Sequence, residues 1–89
     1  MVERELRVAN RLGLHARATA KLVQALSGFR CNATLVARGR EVNAKSIMGV
    51  MLLAAGQGST VLLRVEGEDA AEAADAVAAL FGRRFDEDA

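Results

Sequence analysis

The chain has 89 residues, of which 52% are hydrophobic, and this size predicts one small domain with an apolar core. The interior of such a domain has no room for a large cofactor or a deep substrate cavity, so any chemistry is expected at the surface. Twelve basic and eleven acidic residues are scattered along the chain and give a formal net charge of +1. That balance lacks the concentrated positive charge that binds a nucleic-acid backbone, so nucleic acid is not expected as a partner.

The sequence also bears on membranes, compartment and metals. Its first residues are charged and lack the apolar stretch of a signal peptide. The longest apolar run, residues 47–55, is about half of the roughly 20 residues that cross a bilayer. The single cysteine, Cys31, excludes an internal disulfide and fits a reducing compartment. With one histidine and one cysteine, a zinc site would need several carboxylates at a suitable spacing. We therefore expect a cytoplasmic protein without membrane insertion and without a metal.

Hydrophobic periodicity predicts the first half of the fold. Apolar and charged residues alternate over 2–8, which predicts a strand. A loop containing Gly13 follows, and apolar residues at helical spacing predict a helix that begins right after His15 and ends at Gly28. The predicted buried stripe of this helix is Ala16, Ala20, Val23 and Leu26.

Turn residues organise the second half. Strands over 32–37 and 40–43 flank Arg38-Gly39, which predicts a hairpin. Ser46 is suited to cap a short apolar helix, because a serine oxygen accepts from free backbone N–H groups. A turn at residues 56–58 and a fourth strand over 60–66 follow.

The last predicted helix begins at an Asp-x-x-Glu start signal, Asp69 with Glu72, and runs to about Phe81. Residues 86–89 are predicted to be a frayed acidic tail. The element order is then β-α-β-β-α-β-α. It predicts an α+β fold over residues 1–89, a two-layer open-faced sandwich whose four-stranded antiparallel sheet is covered on one face by three helices. The predicted buried stripe of the last helix is Ala70, Ala73, Val77, Leu80 and Phe81.

His15 is the strongest candidate for a nucleophile, because it stands where a loop meets a helix. The first turn of a helix presents unpaired N–H groups and a partial positive charge, so the N–H groups of Ala16 and Ala18 can hold an anion. Arg17 adds a charge-assisted donor. The helix end also disfavours a protonated imidazole and so leaves a ring nitrogen free to attack phosphorus. The alternative is a histidine that merely caps the helix or packs its ring.

Two stretches resemble one family, the histidine-containing phosphocarrier proteins (HPr) of the bacterial phosphoenolpyruvate-dependent sugar phosphotransferase system. Residues 13–17, Gly-Leu-His-Ala-Arg, are similar to the family's active-site signature, and residues 45–51 are similar to its regulatory serine segment. The resemblance covers nearly the whole chain apart from the acidic end, and two motifs in register are more specific than either alone. It implies a sheet of strand order 1-4-2-3.

The resemblance also implies roles for individual residues. His15 would be phosphorylated on Nδ1 by phosphorylated enzyme I and would donate to enzyme IIA proteins, with Arg17 stabilising the phosphoryl group. Ser46 would be phosphorylated by an ATP-dependent HPr kinase, and a dianion at a helix start changes the surface charge without unfolding the helix. The protein would then be a monomeric carrier and not an enzyme. It would need no cofactor of its own, because phosphoenolpyruvate acts through enzyme I.

Further residues are candidates for partner binding. Of the apolar set in the second helix, one side is expected in the core, with Ile47 and Met48 facing partners, and Met51 is included in the binding surface. A basic rim would steer acidic partners. Its predicted members are Arg11, Lys21, Arg40 and Lys45.

One departure from the family pattern keeps alternatives open. The family commonly has proline directly after the arginine, where this chain has Ala18, although alanine also favours a helix. A paralogue that serves nitrogen or storage-polymer regulation fits the same residues. A ferredoxin-like binding module would leave His15 inert, and an RNA-binding module is disfavoured because three phenylalanines without tyrosine or tryptophan offer little base stacking.

Overall fold

The computed structural model describes residues 1–88, and the predicted order of strands and helices is confirmed. Ala89, the last residue of the predicted acidic tail, lies outside the described residues. Over residues 1–88, none of the helices combines the length and the apolar character that crossing a membrane requires. The elements are β1 (Val2–Arg7), α1 (Ala16–Ser27), β2 (Asn32–Ala37), β3 (Arg40–Asn43), α2 (Ile47–Leu52), β4 (Thr60–Glu66), α3 (Ala70–Gly82) and a 3-10 turn at Arg84–Asp86.

The four strands form one antiparallel sheet in the order β1-β4-β2-β3, which is the order that the resemblance implied. Alternate residues of β4, among them Leu63, are buried under the helices. On the other face, Arg64 bridges the sheet by hydrogen bonds to Glu3 at 2.9 Å and Glu41 at 3.1 Å. One face is therefore apolar and covered, and the other is charged and open, as the period-2 pattern predicts.

The buried face of α1 differs from the predicted stripe. Ala16 and Ala20 are exposed and Val23 is half-buried. Alanine has little apolar area, so it marks the buried face weakly, whereas leucine at two successive turns fixes which side packs on the sheet. The residues that are buried are Ala18, Thr19, Leu22 and Leu26.

For α3 the predicted buried stripe is confirmed, and Ala74 is buried with it. The predicted start is confirmed, with Asp69 at the N-cap, although the Asp69 side chain makes no hydrogen bond to the first turn. Instead Asp69 Oδ2 accepts from the backbone N–H of Arg30 at 2.7 Å. The carboxylate therefore joins the start of α3 to the segment that precedes β2.

The acidic end is ordered as far as Glu87, so the predicted frayed tail is wrong for Asp86 and Glu87. Three successive residues, Arg84, Phe85 and Asp86, have φ of 55°, 55° and 62°. The Phe85 ring is fully buried and lies 4.8 Å from the ring of Phe81, centroid to centroid. Buried apolar area outweighs the polar character of this segment. We call residues 84–88 the strap.

Candidate functional site

The loop before α1 is fixed by a close backbone contact. Gly13 has φ of 67°, and a Cβ there would clash with the carbonyl oxygen of Ala55. Beside it, the N–H of Leu14 donates to that same oxygen at 2.9 Å. Glycine is needed here for both its conformation and its size. The contact sets the point at which α1 begins and hence the position of His15.

His15 is the N-cap of α1. Its backbone is extended, with φ of −74° and ψ of 178°, and its carbonyl oxygen accepts from the N–H of Thr19 at 2.9 Å. The ring nitrogen Nδ1 accepts from the N–H of Arg17 at 3.3 Å. The helix start therefore presents its backbone N–H groups to Nδ1. Of the predicted helix-start residues, Ala16 is exposed and Ala18 is fully buried, and it is the Arg17 N–H that contacts the ring.

The other ring nitrogen contacts Glu87, a residue of the segment that was predicted to be a frayed tail. His15 Nε2 lies 2.6 Å from Glu87 Oε2, and both side chains are largely buried, with 27% and 15% of their surface exposed. Asn10, which is fully buried, donates from Nδ2 to Glu87 Oε1 at 3.0 Å and to the carbonyl oxygen of Gly13 at 2.8 Å. Asn10 thus ties the strap to the loop that carries His15.

The surroundings favour the ionised form of two carboxyls of the strap, those of Asp86 and Glu87. The hydrogen bond from Asn10, together with the one from His15, holds the pKa of Glu87 below its ordinary value of 4.5, although burial acts in the opposite direction. The hydrogen bond from Arg83 likewise holds the pKa of Asp86 below 3.8. An ionised carboxylate accepts hydrogen bonds and cannot donate them, so the contact with Glu87 favours a proton on Nε2 of His15.

A surface cleft of about 400 Å³ opens at His15 and places three predicted cations there: Arg11, Arg17 and Lys21. Lys21 Nζ donates to the carbonyl oxygen of Phe85 at 2.8 Å. Three carboxylates, those of Asp86, Glu87 and Asp88, share the cleft with these cations. The full lining is Arg11, Leu12, His15, Arg17, Lys21, Asp86, Glu87 and Asp88.

The rest of the predicted basic rim lies elsewhere. Arg40 donates to the carbonyl oxygen of Leu52 at 3.1 Å, and Lys45 donates to that of Phe29 at 2.9 Å. Neither lines the cleft. Within residues 1–88, no group of three or more His, Cys, Asp or Glu side chains is placed to hold a metal ion.

Ser46 caps α2 as predicted. Its Oγ accepts from the N–H of Gly49 at 3.1 Å, and its carbonyl oxygen accepts from the N–H of Val50 at 3.0 Å. A Cβ at Gly49 would lie 3.3 Å from Ser46 Oγ, so glycine leaves the hydroxyl group unobstructed.

The apolar residues of α2 are less buried than expected. Val50 packs in the core, together with Leu53 just beyond the helix. The other four apolar side chains of α2 were predicted to be divided between core and surface. That prediction is wrong, because all four are exposed. Ile47 and Met48 are exposed, as expected, and the surface they belong to is larger. We call it the α2 patch; it consists of Ile47 (44% exposed), Met48 (77%), Met51 (43%) and Leu52 (63%).

Together these features define a class of protein: a small sheet-and-helix domain with a histidine at a helix start, in an open cleft lined by charged side chains of both signs. Comparisons with known proteins agree. The family model described as "PTS HPr component phosphorylation site" matches residues 2–83. The chain is 62% identical over 88 residues to a phosphocarrier protein HPr of Xylella fastidiosa, covering 99% of each chain. It is 53% identical over 87 residues to one of Cupriavidus necator, covering 98% of each.

A solved structure agrees with both the sequence and the fold. The crystal structure of HPr from Thermoanaerobacter tengcongensis superposes with a TM-score of 0.96 at 40% identity, and the match covers 100% of each chain. The chain therefore belongs to the HPr family of phosphocarrier proteins. Its role in the phosphotransferase system is to carry phosphoryl groups, and it is not an enzyme.

Proposed function

We propose that His15 carries the phosphoryl group, accepting it from phosphorylated enzyme I and donating it to enzyme IIA proteins. The observation that supports this most directly is the presentation of Nδ1 at the start of α1, 3.3 Å from the Arg17 nitrogen. A phosphoryl group on Nδ1 would lie where the helix N–H groups and its partial positive charge stabilise an anion. The Arg17 side chain lines the same cleft and would add a charge-assisted hydrogen bond.

In each transfer one bond forms and one breaks. The Nδ1 lone pair of His15 attacks phosphorus, and the electron pair of the donor's N–P bond stays on the donor nitrogen. Donation to enzyme IIA reverses these roles. The chain needs no metal and no cofactor for this step, because phosphoenolpyruvate and magnesium act at enzyme I.

The test is incubation with phosphoenolpyruvate, magnesium and a bacterial enzyme I, followed by intact mass before and after acid treatment. We expect one acid-labile phosphate, absent in His15→Ala. Arg17→Ala should slow transfer, whereas Arg7→Ala, on the exposed face of β1, should not. No phosphate on the unaltered protein, or a phosphate that survives in His15→Ala, would contradict the proposal.

For Ser46 we propose regulatory phosphorylation by an HPr kinase with ATP. The half-buried Oγ at the cap of α2 has glycine behind it and the exposed α2 patch beside it. A phosphate there would add negative charge next to a docking surface without losing the helix. Kinase and ATP should give one acid-stable phosphate, present in His15→Ala and absent in Ser46→Ala. Acid-stable phosphate in both variants would place the modification elsewhere.

We further propose that partners dock on the α2 patch through Ile47, Met48 and Met51, steered by Arg11 and Lys21. The exposed apolar side chains of the patch suit an apolar partner surface, and the cations of the His15 cleft suit an acidic one. Met48→Asp should weaken binding to enzyme I. Ala71→Asp, which adds the same charge at an exposed position of α3, should not. Equal weakening by both variants would point to net charge instead of the patch.

The proposal places this carrier in the cytoplasm as a monomer. Sedimentation equilibrium should give the mass of one chain.

The alternative function is that of a regulatory paralogue for nitrogen or storage-polymer control. Such a protein would pass phosphate from His15 to a regulatory enzyme IIA in preference to a sugar-specific one. Mixing the phosphorylated protein with both enzyme IIA proteins, and measuring which one receives the phosphate, decides between these two functions.

A further inference from the structure

The strap brings a carboxylate onto the side of the His15 ring that faces away from the helix start. Each oxygen of Glu87 has one partner: Oε2 meets His15 Nε2 at 2.6 Å, and Oε1 accepts from Asn10 Nδ2 at 3.0 Å. Asn10 is fully buried and is held in turn by Gly13. The carboxylate is thus fixed in place with respect to the histidine.

Two groups on opposite sides of the ring select the same tautomer. Glu87 accepts at Nε2, so the proton resides there. The Arg17 N–H donates to Nδ1, which requires a lone pair on that atom. A neutral imidazole has one proton for its two nitrogens, so both contacts are satisfied when Nε2 is protonated and Nδ1 is bare.

The backbone conformation and the contacts of the strap hold Glu87 in this position. Residues 84–86 have left-handed backbone conformations that L-residues rarely adopt in succession. They are held by the buried Phe85 ring and by Lys21, which donates to the Phe85 carbonyl oxygen. Unusual backbone conformations persist where the surrounding structure overdetermines them, and this happens most often at functional sites.

We propose that Glu87 is a positioning residue for phosphoryl transfer, which holds the proton on Nε2 of His15 so that Nδ1 is the nucleophile. This inference rests on the function proposed for His15. When Nδ1 forms its bond to phosphorus, the donor nitrogen keeps the electron pair of the broken bond, and the ring becomes positive beside the Glu87 carboxylate. In onward transfer the pair returns to Nδ1 and leaves a neutral imidazole. The Nε2 proton stays in place throughout.

The first test is the tautomer of His15 in the unphosphorylated protein, read from its ¹⁵N chemical shifts at about pH 9, where a histidine is ordinarily neutral. The unaltered protein should show the Nε2–H tautomer. Glu87→Gln should show a mixture, because an amide can donate or accept at Nε2. Glu5→Gln, which removes the same charge on the exposed face of β1, should behave as the unaltered protein. An unchanged tautomer in Glu87→Gln would overturn the proposal.

The second test is the rate at which phosphorylated enzyme I loads the same three proteins. Glu87→Gln should be about tenfold slower, the size expected for one lost charge-assisted hydrogen bond, and Glu5→Gln should be unchanged. If the charge of Glu87 mainly repelled the incoming phosphoryl group, Glu87→Gln would be faster. An equal or faster rate therefore overturns the proposal.

The charged groups that share the cleft with His15 and Glu87 are Arg11, Arg17, Lys21, Asp86 and Asp88. Loading should therefore be measured at several pH values, and the slower rate of Glu87→Gln should persist above the range in which its neighbouring carboxyls titrate. Failure of the unaltered protein to load His15 would overturn the proposed function and this proposal with it. That failure is recognised separately, because it occurs without any substitution.

Discussion

The starts of α1 and α2 have similar caps and different surroundings. Each has an extended N-cap whose side chain accepts from a backbone N–H of the first turn: His15 Nδ1 from Arg17 at 3.3 Å, and Ser46 Oγ from Gly49 at 3.1 Å. Around His15 lie three cations and the acidic strap. Around Ser46 lie the exposed apolar side chains of the α2 patch.

The backbone of a helix start contributes the same groups in both places, whereas the neighbouring side chains differ. Both starts offer N–H groups and a favourable dipole to an anion. Only at α1 does the described structure add a second partner for the capping side chain, Glu87 on Nε2. These different neighbours support our proposal that the start of α1 makes and breaks a bond to phosphorus, and that the start of α2 displays a charge beside a docking surface.

The largest difference in stability is expected when alanine replaces the glycine near each helix start, Gly13 before α1 and Gly49 in α2. Gly13→Ala should lower the free energy of unfolding by about 2–4 kcal/mol, because it forces a positive φ on alanine and a clash with Ala55. Gly49→Ala should change it by less than about 1 kcal/mol, since the gain in helix propensity opposes contacts of 3.3 Å. Urea unfolding measures both. Equal losses would show that the α1 loop is no more constrained than the start of α2.

A smaller change in stability is expected when the N-cap of α2, Ser46, is replaced. Ser46→Ala should lower the free energy of unfolding by about 1 kcal/mol, the usual loss for an N-cap oxygen. Ser46→Asp should restore most of it, because aspartate also caps, and should slow loading by enzyme I through its charge. Thermal unfolding and loading rates together separate the two effects. Slower loading in Ser46→Ala as well would assign the change to the lost cap.

The sequence predicts where the helices and strands end, but it does not predict the long-range contact between Glu87 and His15. Gly28, Arg38-Gly39 and Ser46 mark element ends because their effects act within a few residues. The contact of Glu87 with His15 joins residues 72 apart, and three successive positive φ values create it. No local pattern predicts such a turn. The one available signal was Phe85, a large apolar residue inside a charged segment, which favours burial over a frayed end.

The strap should make stability depend on pH in a known direction. The pKa of Glu87 is lower in the folded chain than its ordinary 4.5, through its hydrogen bonds from Asn10 and His15. Its contribution is therefore present above pH 4.5 and is lost as the pH falls through the lower, folded value. Between about pH 6 and pH 3, the unaltered protein should lose more stability than Glu87→Gln. Parallel curves from urea unfolding would show that the carboxylate contributes nothing to the fold.

The smallest effect is expected at Ala18, where the family commonly has proline. The first bond inside α1 runs from the Thr19 N–H to the His15 carbonyl oxygen, so Ala18→Pro removes no helical hydrogen bond. Proline restricts the unfolded chain, which stabilises, but disfavours a helical Arg17 before it, which destabilises. The net change should stay below about 1 kcal/mol, against about 3 kcal/mol for Ala20→Pro inside the helix.

The same variant asks whether the Ala18 N–H is used in phosphoryl transfer. In the structure it is the Arg17 N–H that contacts Nδ1, and Ala18→Pro leaves that group in place. Loading of His15 by enzyme I should therefore be unchanged in Ala18→Pro. A slower rate with unchanged stability would mean that the Ala18 N–H also binds the phosphoryl group, and that the start of α1 differs from the start of α2 in its backbone donors as well as in its neighbours.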